Sequence, residues 1–369
     1  MNQLFRWDQM GLFLLALAAG ILPFAVPEVC AAALREGLTL CSGPLLLSLF
    51  PFLVVSRLLI QCPESDLLAL PFRLAAWGIG IRTPCAARVL CIGFLGGFAP
   101  AASAAAQAVR TGQLTAEEAD ALLPACICSG PSFVVLTVGQ SLLGSAELGV
   151  LLFASQITAN YLTAALLNRF AGVRSVKPES AAPASPAPPR LDEILADAAI
   201  TYCKLCGFIL FFRMLAAGAG ALLPAGAGTL CAILLEVCSG CDLASRTGRW
   251  GSLLCCAALS VQGLSVLLQV RTICPAEMTL RPLYRSRLLH LPLSLALFYL
   301  LLPGGEADAF STLPARVLLM RRVPPDCALL VFAVCCMAAC TLRSGIRQVE
   351  QKQMARNAGG CCINSKTLL

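Results

Sequence analysis

Apolar residues run along this chain in blocks of helical length, and several blocks are broken in mid-span by glycine, serine or proline. The blocks cover approximately residues 10–27, 38–60, 84–106, 119–143 and 147–168, then 199–217, 219–240, 250–270, 287–303 and 326–342. A bilayer crossing takes ~20 apolar residues, so this pattern predicts an all-α polytopic membrane protein. The breaks fall into two sets. The first holds Gly93-Phe-Leu-Gly-Gly-Phe-Ala-Pro100 and Cys128-Ser-Gly-Pro-Ser-Phe133; the second holds Glu236-Val-Cys-Ser-Gly240 and Ser260-Val-Gln-Gly-Leu-Ser265. A broken helix frees backbone polar groups, which hydrocarbon tolerates only where protein or a cavity surrounds them. Interrupted spans at corresponding places of two halves point to the binding site of a secondary transporter.

A stretch rich in proline and alanine, residues 171–198, divides the chain. The expected organisation is an N-terminal anchor span at 1–37, a first repeat at 38–170, this linker, a second repeat at 199–303, and a C-terminal span with a basic tail at 304–369. Duplication is read from an internal echo. Phe52-Leu-Val-Val-Ser-Arg57 parallels Phe208-Ile-Leu-Phe-Phe-Arg213, and Leu122-Leu123 precedes Ser129 by the interval that separates Leu253-Leu254 from Ser260. Two repeated halves with broken or re-entrant helices commonly share a midplane site.

Composition strengthens the membrane reading: 58% of the 369 residues are hydrophobic and 13% charged, with mean hydropathy +0.80. The net charge of +7 is spread over connecting segments, which suits an inner-membrane topology and not nucleic-acid binding. Arg271, Arg281, Arg285 and Arg287 are expected on the cytoplasmic side if the Ser260–Gln262 segment turns back without crossing. The 21 cysteines lie mainly inside apolar runs, where they act as small packing residues. Two CxxC pairs, Cys203/Cys206 and Cys238/Cys241, would need to converge as four thiolates to bind metal. No metal or cofactor is expected, and no hydrolytic or phosphate-cradling motif occurs, so an enzyme is not expected either.

The candidate chemistry gathers at the breaks. A helix restarting after a break offers free N–H groups and a positive dipole end, an arrangement suited to a carboxylate. Around the first two breaks the candidate substrate-binding residues are Gly96, Gly97, Pro100, Ser103, Gln107, Ser129, Gly130, Pro131 and Ser132, with Asn160 beyond them. Around the second two they are Ser239, Gly240, Ser260, Gln262, Gly263 and Ser265. Polar side chains in such surroundings also serve as glue between helices. Glu236, deep in an apolar run, is the candidate for ion or proton coupling; the alternative is a structural carboxylate paired with Arg213 or Lys204. Arg213 is a candidate for anion attraction, and Arg57, at the equivalent position, is read as snorkelling to an interface.

At these same residues the chain resembles a known family. Phe50-Pro-Phe-Leu-Val-Val-Ser, Gly97 through Leu123, Ser129-Gly-Pro-Ser-Phe133, Leu234-Leu-Glu-Val-Cys-Ser-Gly240 and Gly263 through His290 occur in the order seen in sporulation integral membrane proteins of the YlbJ (SpoVV) type. That type belongs to the nucleoside-recognition (Gate) domain families. The resemblance implies an architecture similar to concentrative nucleoside transporters and a multi-pass protein of the bacterial cell membrane, placed in the outer forespore membrane. The implied role is moving dipicolinate, a small planar dicarboxylate, from mother cell toward forespore. A nucleoside or other small metabolite as cargo, or a non-transporting assembly factor, are the alternatives. The implied partners are a small anionic substrate and membrane lipid, with a homo-oligomer compatible. Where that family tends to have Gly-Tyr-Pro-x-Gly-Ala-Lys, this chain reads Gly97-Phe-Ala-Pro-Ala-Ala-Ser103, without the lysine.

Overall fold

A computed structural model describes residues 2–61, 63–172 and 191–302. Among the described residues there are fourteen α-helices, one π-helix, short 3-10 turns and no strand. The expected span at 326–342 and the basic tail lie outside them.

The chain opens with α1 (Asn2–Ala25) and α2 (Pro27–Ser42), bent by 110° at a proline that cannot donate the hydrogen bond a continuous helix would need. Then come α3 (Pro44–Gln61) and a short α4 (Leu70–Gly78). Next is a broken pair, α5 (Pro84–Gly96) and α6 (Phe98–Arg110). A second broken pair joins α7 (Ala116–Cys126) to the π-helix (Ser132–Leu142), and the long α8 (Ala146–Ala171) follows. The order then recurs. A long helix, α9 (Leu191–Leu222), precedes the broken pair α10 (Ala225–Leu235) and α11 (Val237–Ser245). A second pair, α12 (Gly251–Val261) and α13 (Gly263–Ile273), leads to α14 (Arg281–Leu301).

Local chemistry sets several of these boundaries. Thr115 and Glu118 form a reciprocal capping box at the start of α7, and Ser145 accepts from Leu148 N at the start of α8. Gly172 ends α8 in the left-handed conformation. Three boundaries differ from those read in the sequence. Helix α9 begins at Leu191, inside the stretch assigned to the linker, because Asp192 and Glu193 suit the first turn of a helix. Helix α14 begins at Arg281, ahead of the apolar run at 287–303, with Pro282 in its first turn. The segment assigned as one anchor span holds α1 and most of α2.

Among the described residues, three helical stretches are long and apolar enough to cross a membrane, Ala146–Ala171, Leu191–Leu222 and Gly248–Ile273, or four if the bent α1–α2 pair is one span. The described fold is thus helical with broken apolar helices and membrane character. The most apolar window of Gly248–Ile273 is 61% buried, against 39% for the other two, so the broken helix lies inside and the unbroken ones border it. Large apolar side chains face outward, as at Phe170, Leu288, Tyr299 and Leu300, while Gln156, Asn160, Ser260, Ser286, His290 and Ser294 are buried within a mainly apolar interior.

Candidate functional site

The four breaks cross in pairs, and the pairs touch. In the first half, Gly97 separates α5 from α6 at φ 81° and ψ −162°, a conformation nearly closed to residues with a side chain. It lies against the α7–π break so closely that a Cβ on Gly97 would sit 2.6 Å from Gly130 N. In the second half, Gly263 (φ 68°) opens α13 against the α10–α11 break, where a Cβ would sit 3.0 Å from Glu236 N and from Leu235 C and O. One hydrogen bond joins the two crossings: Gln262 Nε2 donates to Ser129 Oγ at 3.3 Å, and also to Leu259 O. Gln262 is itself in the left-handed region (φ 65°), and its buried Oε1 has no partner.

Glu236 is buried and serves as the N-cap of α11. Its Oε1 accepts from Cys238 N at 2.9 Å, and Oε2 accepts from Ser239 N at 2.7 Å and Ser239 Oγ at 2.9 Å. The structural alternative that paired it with Arg213 or Lys204 is therefore replaced by a helix terminus, a favourable place for a carboxylate. No side chain caps α6, the π-helix or α13, so three of the four restarting helices present uncapped N-termini near the crossing.

Other candidates are engaged elsewhere. Arg213 pairs with Glu36 of α2 at 2.7 Å, and Arg57 pairs with Asp197 of α9 while donating to Ser103 Oγ. Arg57 is thus buried and paired, where the sequence suggested an interfacial side chain. Ser265 accepts from Gln269 Nε2 within α13. Pro100 packs on Gly96, where a Cβ would meet the ring at 2.9 Å, and Gly240 lies equally close to Ile233. Gln107 and Ser132 are half-buried, and Pro131 precedes the π-helix.

A buried polar layer beside the crossing extends the site beyond the sequence reading. Asn160 of α8 donates to Ile127 O, the carbonyl that ends α7. Arg287 of α14 donates to that carbonyl, to Ser260 O at the end of α12, and to Asn160 Oδ1. Ser260 Oγ meets Ser294 Oγ at 2.5 Å and accepts from Gln156 Nε2 at 3.0 Å. His290 Nε2 donates to Gln156 O, which leaves Nδ1 as a buried acceptor without a partner. Arg287, grouped in the sequence with Arg271, Arg281 and Arg285 as a topology charge, is carried by α14 into the interior. The signal for this layer was the serine, arginine and histidine at 286, 287 and 290, spaced to share a helix face.

Two surface concavities lie away from the crossing. One, of about 120 Å³, is lined by Arg73, Trp77 and Arg82 among others; the other, of about 450 Å³, is apolar and lined by Trp250, Leu295 and Tyr299 among others. No protein-family profile, curated protein or solved structure matches the chain.

Proposed function

We propose that this protein is a membrane carrier whose substrate passes at the crossing of the four helix breaks. The observation that carries this reading is the Ser129–Gln262 bond between the Gly97–Gly130 crossing and the Glu236–Gly263 crossing. Four breaks in one chain, gathered at one place with three uncapped helix N-termini, is an expensive arrangement for a protein that needs only to sit in lipid. The recurring order of long helix, two broken pairs and long helix supports a duplicated unit with the site between its copies. Uncapped N-termini favour an anion, and the family resemblance narrows that anion to dipicolinate, moved from mother cell toward forespore. Without an ATP-binding motif in the sequence, transport on this reading is passive, ion-coupled or driven by a partner. Glu236 is the coupling group: a cation taken up at its carboxylate would compete with the hydrogen bonds that close the N-terminus of α11, linking its uptake to movement of that break. The test is the dipicolinate content of spores lacking the protein. A large deficit is expected, and normal content contradicts the reading.

A second reading has its own observation. Backbone contacts as close as those at Gly97 and Gly263 also suit a packing device in a non-transporting assembly factor. On that reading Ser129→Ala and Glu236→Gln leave spores normal while deletion does not; on the carrier reading both substitutions lower dipicolinate content.

A further inference from the structure

Three arginines are buried among the described residues, and two are neutralised: Arg57 pairs with Asp197 and Arg88 with Asp66. The third, Arg287, is 8% exposed, and none of the ion pairs among the described residues includes it. Its partners are all neutral. Nε donates to Ser286 Oγ at 3.3 Å, Nη1 to Ile127 O and Ser260 O at 3.4 Å each, and Nη2 to Asn160 Oδ1 at 3.2 Å. A guanidinium bound to a full negative charge makes bonds of about 2.7–2.9 Å, so every one of these is long. Helix C-termini carry partial negative charge, which holds the cation without matching it. A buried guanidinium in that state keeps much of its desolvation cost, and an anion beside it would remove that cost.

Position gives this unmatched charge a meaning. Ile127 follows the last residue of α7 and Ser260 lies in the last turn of α12, so Arg287 spans the ends of one broken helix from each half. We infer that Arg287 binds a carboxylate group of the transported anion, which draws Nη1 away from the Ile127 and Ser260 carbonyls. The inference rests on the carrier reading and names the residue that recognises the substrate's charge. A planar guanidinium matches the two oxygens of a carboxylate, while Asn160 continues to orient Nη2. Release of the two carbonyls frees the ends of α7 and α12 together, so both crossings respond to one binding event.

The test uses the full-length protein purified in detergent, titrated separately with dipicolinate and with uridine, reading the ligand-dependent rise in melting temperature. Dipicolinate is expected to stabilise the wild-type chain. Arg287→Gln is expected to weaken its apparent affinity roughly tenfold to a hundredfold, as loss of a charged hydrogen-bonding partner does. Arg287→Lys keeps the charge without the fork and is expected to fall between. Melting temperatures without ligand report any purely structural effect separately. Unchanged dipicolinate affinity in Arg287→Gln overturns the assignment and leaves the carrier reading standing. If Arg287→Gln does not fold, unchanged affinity in Arg287→Lys does the same. Stabilisation of the wild-type chain by uridine alone overturns the assignment and turns the carrier toward a neutral substrate. Stabilisation by neither ligand overturns both.

Discussion

Two glycines and one glutamate hold the breaks at the level of single residues. Alanine at 97 would need a backbone conformation that costs about 1–3 kcal/mol, and its Cβ would also strike Gly130 N at 2.6 Å. Gly97→Ala is therefore expected to destabilise the detergent-solubilised protein by more than about 2 kcal/mol, read as a fall in melting temperature. Gly263→Ala should behave similarly, since its Cβ would press on Glu236 and Leu235. Gly207 is the contrasting case. It lies inside α9 with nothing within 4 Å of an added Cβ. Gly207→Ala is expected to be neutral or to stabilise by up to about 1 kcal/mol. A loss of stability there matching that at Gly97 would contradict the close-approach argument. Glu236→Gln retains one acceptor oxygen but loses the charge that meets the α11 N-terminus, at an expected cost of about 1–2 kcal/mol. These residues were visible in the sequence because glycine and a carboxylate are conspicuous in apolar runs. The partner of Glu236 was not visible, since its own backbone neighbours two and three residues on satisfy it.

Among the elements, the positions of the breaks were legible and their contacts were not. Glycine and proline punctuate a helix wherever they occur, so Gly97, Cys128–Pro131, Glu236 and Gln262–Gly263 could be placed from local chemistry alone. That the Gly97 break meets the Gly130 break, and the Gly263 break meets Glu236, depends on how distant helices pack. The π-helix at Ser132–Leu142 was illegible for another reason: an apolar run has no marker that separates it from an α-helix. Helix α4, between two longer helices, fell below the length that hydropathy detects. The contact between the crossings is measurable. A double-mutant cycle on Ser129→Ala and Gln262→Ala is expected to give a coupling energy of about 0.5–1.5 kcal/mol in thermal or chemical unfolding. Strict additivity would mean that the Ser129–Gln262 bond does not join the two halves.

For the whole molecule, the long apolar helices and the large apolar side chains on the surface give it membrane character, which hydropathy alone foretold. The candidate site was legible in part. Serine, asparagine and glutamine near the breaks stood out against apolar neighbours, and Ser129, Gln262, Asn160 and Ser260 do gather there. Ser103 accepts from Arg57 and Arg213 pairs with Glu36, so neither makes a hydrogen bond to that group. Arg287 was missed because it stands at the edge of the apolar run 287–303 and was read with Arg271, Arg281 and Arg285 as a topology charge. On the proposed function, the joined crossings form a path for a small dicarboxylate. The most direct measurement is uptake of dipicolinate by vesicles reconstituted with the purified protein, compared with protein-free vesicles. Saturable, protein-dependent uptake that falls sharply in Gln262→Ala is the predicted result. A folded, reconstituted protein that takes up no more dipicolinate than empty vesicles would contradict it.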